Sequence, residues 1–400
     1  MSAHRSHSSD AYREWHHASV TVSGTPYQLA TKQGVFSHRT VDPSAHLLAD
    51  TVNVREGDVV VHFNGGGVFG SVAATAHRAE RVLITHRNVL GVEAALRTLL
   101  ANDVENAEVL LGHGSSPLPA GLQANVVAIR IPQERLATLQ LLWDAFRALK
   151  VGGRCYIAGA TNEGIKTAAR TMATLFGGSG VLAQSSGHRL VVANKRDETP
   201  ASIADLTSPY LDHDTFNELD AQLCGRNYRL CSRPGVFSWD HVDEATEILA
   251  GAMQIGAGES VLDIGCGYGP LGTVAGTLSG DGPVCMVDAD VEAVRSAIRT
   301  SAAARLTRVR VLTSDVAAAV LDERFDVVVT NPPFHVGKAT DLEVPMQFIN
   351  DAWTVLKPGG RVFLVANRTL PYEQAIRALF GNIETVHNGP RFKVVSARRG

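Results

Sequence analysis

The chain is short of several things that would narrow its chemistry at once. Of 400 residues only five are cysteine, at 155, 224, 231, 266 and 285. An odd and scattered set of this kind excludes a disulfide framework or a Cys-rich zinc module and suits free thiols in a reducing cytoplasm. Neither sign of charge dominates, since 37 Lys and Arg face 40 Asp and Glu for a net charge of -3. The global positive field of a protein that clings to any nucleic acid is therefore missing. No apolar run reaches the roughly 20 residues of a bilayer span. The polar, His-rich start as far as His17 has neither an apolar core nor a cleavage pattern, so the expectation is a cytoplasmic protein with no signal segment and no membrane partner. What is present, 45% apolar and 19% charged residues, is the composition of a soluble globular chain too long for one ordinary core.

Its organisation follows from an internal repeat. Gly34-Val35-Phe36-Ser37 followed by Val41-Asp42 recurs as Gly235-Val236-Phe237-Ser238 followed by Val242-Asp243, an offset of 201 positions (235 minus 34). Apolar strands then follow in the same order. Val59–Phe63 matches Val261–Ile264, residues 82–85 match 284–287, and residues 126–129 match 327–330; Leu149-Lys150-Val151-Gly152-Gly153 repeats Leu356 to Gly360. Strands alternating with helical stretches at a domain-sized period predict an α/β chain of two tandem Rossmann-like domains, each a doubly wound and mostly parallel sheet. The charged, Pro-containing stretch from Lys195 to Ser202 marks a boundary. Residues 1–195 are expected to form the first domain, 196–226 a linker and 227–400 the second.

Two segments of the second copy carry chemistry. Val261-Leu262-Asp263-Ile264 breaks into Gly265-Cys266-Gly267-Tyr268-Gly269, a glycine loop that lets backbone approach a ligand, and Asp288 closes the next apolar run. Gly267, Gly269 and Gly272 also satisfy G-x-G-x-x-G, so the loop alone does not separate a dinucleotide from S-adenosyl-L-methionine. Asp263 favours the latter, because a carboxylate there answers a charged amino acid end and repels a pyrophosphate. The second segment is Asn331-Pro332-Pro333-Phe334, directly after an apolar strand. Its prolines lack N–H donors, leaving the Asn331 side-chain oxygen and the Pro332 carbonyl as acceptors beside the Phe334 ring, a set suited to a planar amine.

Together these segments resemble the class I S-adenosylmethionine-dependent methyltransferases, and Leu356 to Gly360, Val365-Ala366-Asn367-Arg368 and Arg391-Phe392-Lys393-Val394 resemble the subgroup called the methyltransferase small domain. Within it the likeness is to the bacterial ribosomal RNA guanine-N2 methyltransferases that act on the small ribosomal subunit, with those acting on the large one close relatives. The resemblance implies that Asp263, Gly265, Gly267, Gly269, Asp288 and Asp315 bind S-adenosyl-L-methionine, with Asp288 on the ribose and Asp315 on the adenine. It also implies that Asn331 borders that cofactor, and that Asn331, Pro332 and Phe334 present a guanine amino group. The partner it implies is ribosomal RNA or a ribosomal subunit. Alternatives are methylation of large-subunit rRNA, of a protein glutamine or of adenine N6, and a cofactor-binding assembly factor without catalysis.

In the first copy, His62, His86, His113 and Arg130 fall where the second has Asp263, Asp288, Asp315 and Asn331, and its loop is Asn64-Gly65-Gly66-Gly67. No carboxylate remains for a ribose or an adenine, so the first domain is expected to be a degenerate copy serving recognition or stability. Its histidines are too widely spaced for a ligand set, and no metal is assigned. Three basic clusters, Arg226 to Arg233, Arg295 to Arg310 and Arg391 to Arg399, are candidate RNA contacts or solvated faces. Phe237, twin of Phe36, is expected to pack in the core, Tyr268 and Cys266 to fill the loop, and His335 and Lys338 are weaker RNA candidates.

Overall fold

A computed structural model describes residues 11–201, 206–333, 343–370 and 372–400. The described chain forms two compact units, one of Glu14–Thr215 and one of residues 11–13 together with Phe216–Gly400. In the second unit, β12 (Val261–Ile264), β13 (Val284–Asp288), β14 (Val309–Thr313), β15 (Phe325–Thr330), β16 (Leu356–Asn367), β17 (Glu384–Asn388) and β18 (Phe392–Arg398) make a seven-stranded sheet ordered β14-β13-β12-β15-β16-β18-β17. All neighbours are parallel except those involving β18. The first unit repeats this order with β3 (Val59–Phe63), β4 (Arg81–His86), β5 (Ala107–Leu111), β6 (Ala124–Arg130), β7 (Leu149–Ala160), β8 (Gly180–Ser185) and β9 (His188–Asn194).

The continuous apolar strands explain these sheets. Parallel strands covered on both faces need apolar side chains at every position, and Leu262 and Val328 enter one core while Val261, Val327 and Val329 enter the other. The first unit divides likewise, with Val60 and Val126 on one face and Val61 and Val127 on the opposite one. Each sheet is preceded by a hairpin, β1 (His16–Val22) with β2 (Thr25–Thr31) and β10 (Asn217–Leu223) with β11 (Arg226–Ser232). Their two-residue turns, Ser23-Gly24 and Cys224-Gly225, both have two positive φ angles, the twist a tight hairpin demands. The doubly wound expectation is met in both copies. In each sheet the chain order reverses between the first strand and the fourth, and in such sheets ligands bind outside the carboxyl ends at that crevice.

Strand register confirms the residue pairs read from the repeat. Asp263 and His62 are both the penultimate residue of the first strand, Asp288 and His86 the last of the second, and Asp315 and His113 each lie two beyond the third. Ile264 pairs with Thr330 and Phe63 with Ile129, so Asn331 and Arg130 each follow the same step of the fourth strand. Among the described residues no helix is long and apolar enough to cross a membrane.

Candidate active site

Four neighbouring strand ends bring the expected residues to one edge of the second unit, in the order Asp315, Asp288, the 265–269 loop and Asn331. Gly269, with φ +86°, caps helix α7 (Pro270–Ser279), and a Cβ there would lie 3.0 Å from the Ala297 methyl, so the turn and the close packing both require glycine. The loop is fastened by acids. Gly267 N–H donates to Asp288 Oδ2 at 2.8 Å, and Asp290 N–H donates to Asp288 Oδ1 at 2.9 Å. Tyr268, expected only to fill space, donates its hydroxyl proton to the His241 carbonyl at 3.0 Å and ties the loop to the segment ahead of helix α6 (Glu244–Ala252).

Asp263 is fully buried. Its Oδ2 accepts from Gly272 N–H at 2.8 Å, while Oδ1 has no hydrogen-bond partner among the described residues. Burial, opposed by the Gly272 bond and reinforced by Asp288, pushes its carboxyl up to about 7. A buried carboxylate oxygen without a donor beneath a glycine loop fits a cationic ligand group, and a Cβ on Gly267 would meet nothing within 4 Å. The residues present therefore fit S-adenosylmethionine.

At Asn331 the structure adds two residues that the sequence analysis missed. Its amide nitrogen donates to Asp243 Oδ2 and to Thr246 Oγ1, both at 3.0 Å. Asp243 is the N-cap of α6 and accepts from Thr246 N–H at 3.1 Å, so it is itself fixed. Only an amide NH2 can face a carboxylate oxygen this closely, which assigns the flip and leaves Oδ1 as acceptor. The repeated pairs Val41-Asp42 and Val242-Asp243 carried the signal for this acid. Pro332 is buried and Pro333 exposed; Phe334, His335 and Lys338 lie outside the described residues.

Several expectations are corrected. Phe237 is 69% and Phe36 59% exposed, and beside Phe237 the adjoining Val236 takes the core position. Arg233 is buried and paired with Glu292 at 2.9 Å, and Lys393 is buried with Glu373 and the Leu370 carbonyl. Neither belongs to a solvated or RNA-facing cluster. Arg391 is paired with Glu244.

In the first unit the same positions are filled by its own side chains. The His62 imidazole lies directly under the glycine loop, since a Cβ on Gly65 would fall 2.3 Å from its Nδ1. Burial foremost, then neighbouring His86, holds its pKa down at about 3, so it is neutral. His86 accepts from Asn88 N–H at 3.0 Å, as Asp288 does from Asp290. Arg130 donates from Nε to Asp42 Oδ2 at 3.0 Å and from a terminal nitrogen to Glu163 at 2.8 Å, all three side chains being nearly buried. Among the described residues no group of three or more His, Cys, Asp or Glu is placed to hold a metal.

Comparison with known proteins agrees with this geometry. The methyltransferase small domain family model matches residues 26–192 and 227–396. The ribosomal RNA small subunit methyltransferase C of Hahella chejuensis is 35% identical over 282 residues, 70% of this chain and 80% of the relative. That of Pseudomonas aeruginosa is 30% identical over 281 residues, covering 70% and 81%. A solved structure, the T. thermophilus 16S rRNA N2 G1207 methyltransferase (RsmC) in complex with AdoMet and guanosine, superposes with a TM-score of 0.82 at 30% identity, covering 98% of this chain and all of that one.

Two outcomes follow. Asp263 ionises near 4 when unfolded and near 7 when folded, so between those values the folded state holds the extra proton and stability falls as pH rises. Thermal unfolding across pH 4 to 7 should show that slope weakened in Asp263→Asn; equal slopes would refute the assignment. Arg130→Ala should destabilise the first unit by about 3–5 kcal/mol, by leaving two nearly buried carboxylates without their cation. Denaturant unfolding measures this, and a loss below ~1 kcal/mol would contradict it.

Proposed function

The chain belongs to the methyltransferase small domain family, and from that premise we propose how it transfers a methyl group from S-adenosylmethionine to the exocyclic N2 of a guanine in small-subunit ribosomal RNA. The observation that carries the reading is the Asn331 amide, whose two N–H bonds are taken by Asp243 and Thr246 so that its oxygen is held as an acceptor. A guanine amino nitrogen is a poor nucleophile because its lone pair is delocalised into the ring. Orientation is then worth more than a strong base, and fixed acceptors contribute several kcal/mol of barrier reduction.

Asn331 Oδ1 and the Pro332 carbonyl accept the two amino N–H bonds and aim the nitrogen lone pair. Phe334 is assigned to stack on the base. Asp263 Oδ1 takes the ammonium of the cofactor's amino acid end, Gly267 gives it backbone clearance while Gly265 and Gly269 shape the loop, Asp288 receives the ribose hydroxyls, and Asp315 receives the adenine amino group. When bound, S-adenosylmethionine supplies an electrophilic methyl group. A base-paired guanine has to leave its stack to reach Asn331. Near-neutral net charge favours an assembled particle as substrate over free RNA of any sequence. Chemistry resides in the second unit and the cytoplasm is its site of action, while the first unit, with His62, His86, His113 and Arg130 at the ligand positions, serves recognition or stability.

Labelled methyl transfer to purified 30S and 50S subunits and to deproteinised rRNA, followed by nucleoside mass spectrometry, tests this. N2-methylguanosine in small-subunit RNA is expected, lost in Asn331→Ala while cofactor affinity stays within a few fold. Label in protein or in N6-methyladenosine, or cofactor binding lost together with turnover, would overturn it.

A further inference from the structure

The turn that carries Asp315 is strained. Val316 has φ +53°, a conformation a β-branched residue adopts only when its surroundings hold it there. At the equivalent step of the first unit the chain uses Gly114, with φ +54°. Two residues from the far start of the sequence supply the hold. Tyr12 is 3% exposed, packed in the core with Val316 and Ala317, and its hydroxyl donates to Asp315 Oδ1 at 2.7 Å. Arg13 donates to both oxygens of Asp351 at 2.8 and 3.0 Å, and Asp351 in turn accepts from Ala317 N–H at 3.1 Å and from Gln347 at 2.7 Å. The strained residue is thus bracketed, Asp315 tied to Tyr12 on one side and Ala317 tied through Asp351 to Arg13 on the other.

The device is duplicated. His213, which is 201 positions after Tyr12 (213 minus 12), lies 3.0 Å from Asp144, and Asp144 accepts from Ser115 N–H at 3.0 Å, two residues past His113. The His213 and His113 rings meet edge to face at 6.2 Å. A contact kept at both copies of the same turn, with different side chains, belongs to the fold.

We propose that Tyr12 is a positioning residue of the cofactor site, with Arg13 bracing the same turn: by donating to Oδ1 it fixes the rotation in which the Asp315 carboxylate faces the adenine amino group. This rests on the assignment of Asp315 to the adenine made above. Burial foremost and then the Asp315 charge raise the Tyr12 pKa well above its ordinary value, so the hydroxyl stays a donor at all working pH. Selectivity for the amino group, rather than general affinity, is what the bond controls.

Calorimetric binding of S-adenosylhomocysteine and of its hypoxanthine counterpart, which lacks the exocyclic amine, tests the proposal with full-length wild type, Tyr12→Phe and Asp315→Asn. Tyr12→Phe keeps the ring and its packing, so the melting temperature should change by no more than about 2 °C. Its affinity for the adenine ligand should fall roughly three- to tenfold, the scale of one hydrogen bond, with little change for the hypoxanthine ligand. In turnover the loss should appear in the cofactor KM and not in kcat. If Asp315→Asn erases the preference for adenine while Tyr12→Phe retains it, the role of Tyr12 is refuted and that of Asp315 stands. If Asp315→Asn retains the preference, the Asp315 assignment fails and the proposal with it.

Discussion

The Asn331 amide nitrogen lies 3.0 Å from both Asp243 Oδ2 and Thr246 Oγ1, and the orientation of the amide at this strand end depends on that pair of contacts. An amide at the end of a strand can turn over at little expense, exchanging an acceptor for a donor. Here a helix N-cap acid, already fixed by its own helix through Thr246 N–H, removes that freedom. The strand then supplies position, the helix supplies orientation, and the prolines that follow withhold competing donors. Recognition of an amine needs all three.

The duplicated copy shows what the same framework becomes when Arg130 stands in place of Asn331. Asp42 caps its helix as Asp243 does, but its partner is the Arg130 guanidinium, which continues to Glu163. A buried ion cluster of this kind holds elements in register and offers no free acceptor to an amine. Under the glycine loop, a neutral imidazole replaces the Asp263 carboxylate. Each change removes an acceptor a ligand could use: the second copy keeps a buried carboxylate oxygen without a donor, and the first has in its place a neutral imidazole whose nitrogens are also without a hydrogen-bond partner among the described residues. The second unit keeps a carboxyl at this place although burial disfavours its ionisation and pushes it up to about 7.

Much of this was legible in the sequence because parallel strands and glycine turns are local. Continuous apolar runs such as Val327-Val328-Val329 specify buried strands, and the 201-residue offset aligned Asp263 with His62 and Asn331 with Arg130 before the fold was known. Side-chain partners distant in sequence were not legible. Nothing in a polar start indicates that Tyr12 packs against Asp315, 303 residues away, and a cluster of basic residues looks the same whether Arg233 is solvated or, as here, sealed against Glu292. Phe237 misled for the opposite reason. An apolar residue in a repeated motif resembles core, and only the folded chain shows that Val236 holds the core place while Phe237 faces solvent.

The central claim is that one copy of a duplicated fold holds the cofactor while the other has filled its site with its own side chains. Isothermal titration of the full chain with S-adenosylmethionine counts the sites directly. The account predicts one site per chain, lost or severely weakened in Asp288→Ala and unchanged when His62, His86 and His113 are replaced together. Two sites per chain, or a single site that survives Asp288→Ala and disappears with the histidines, would contradict it.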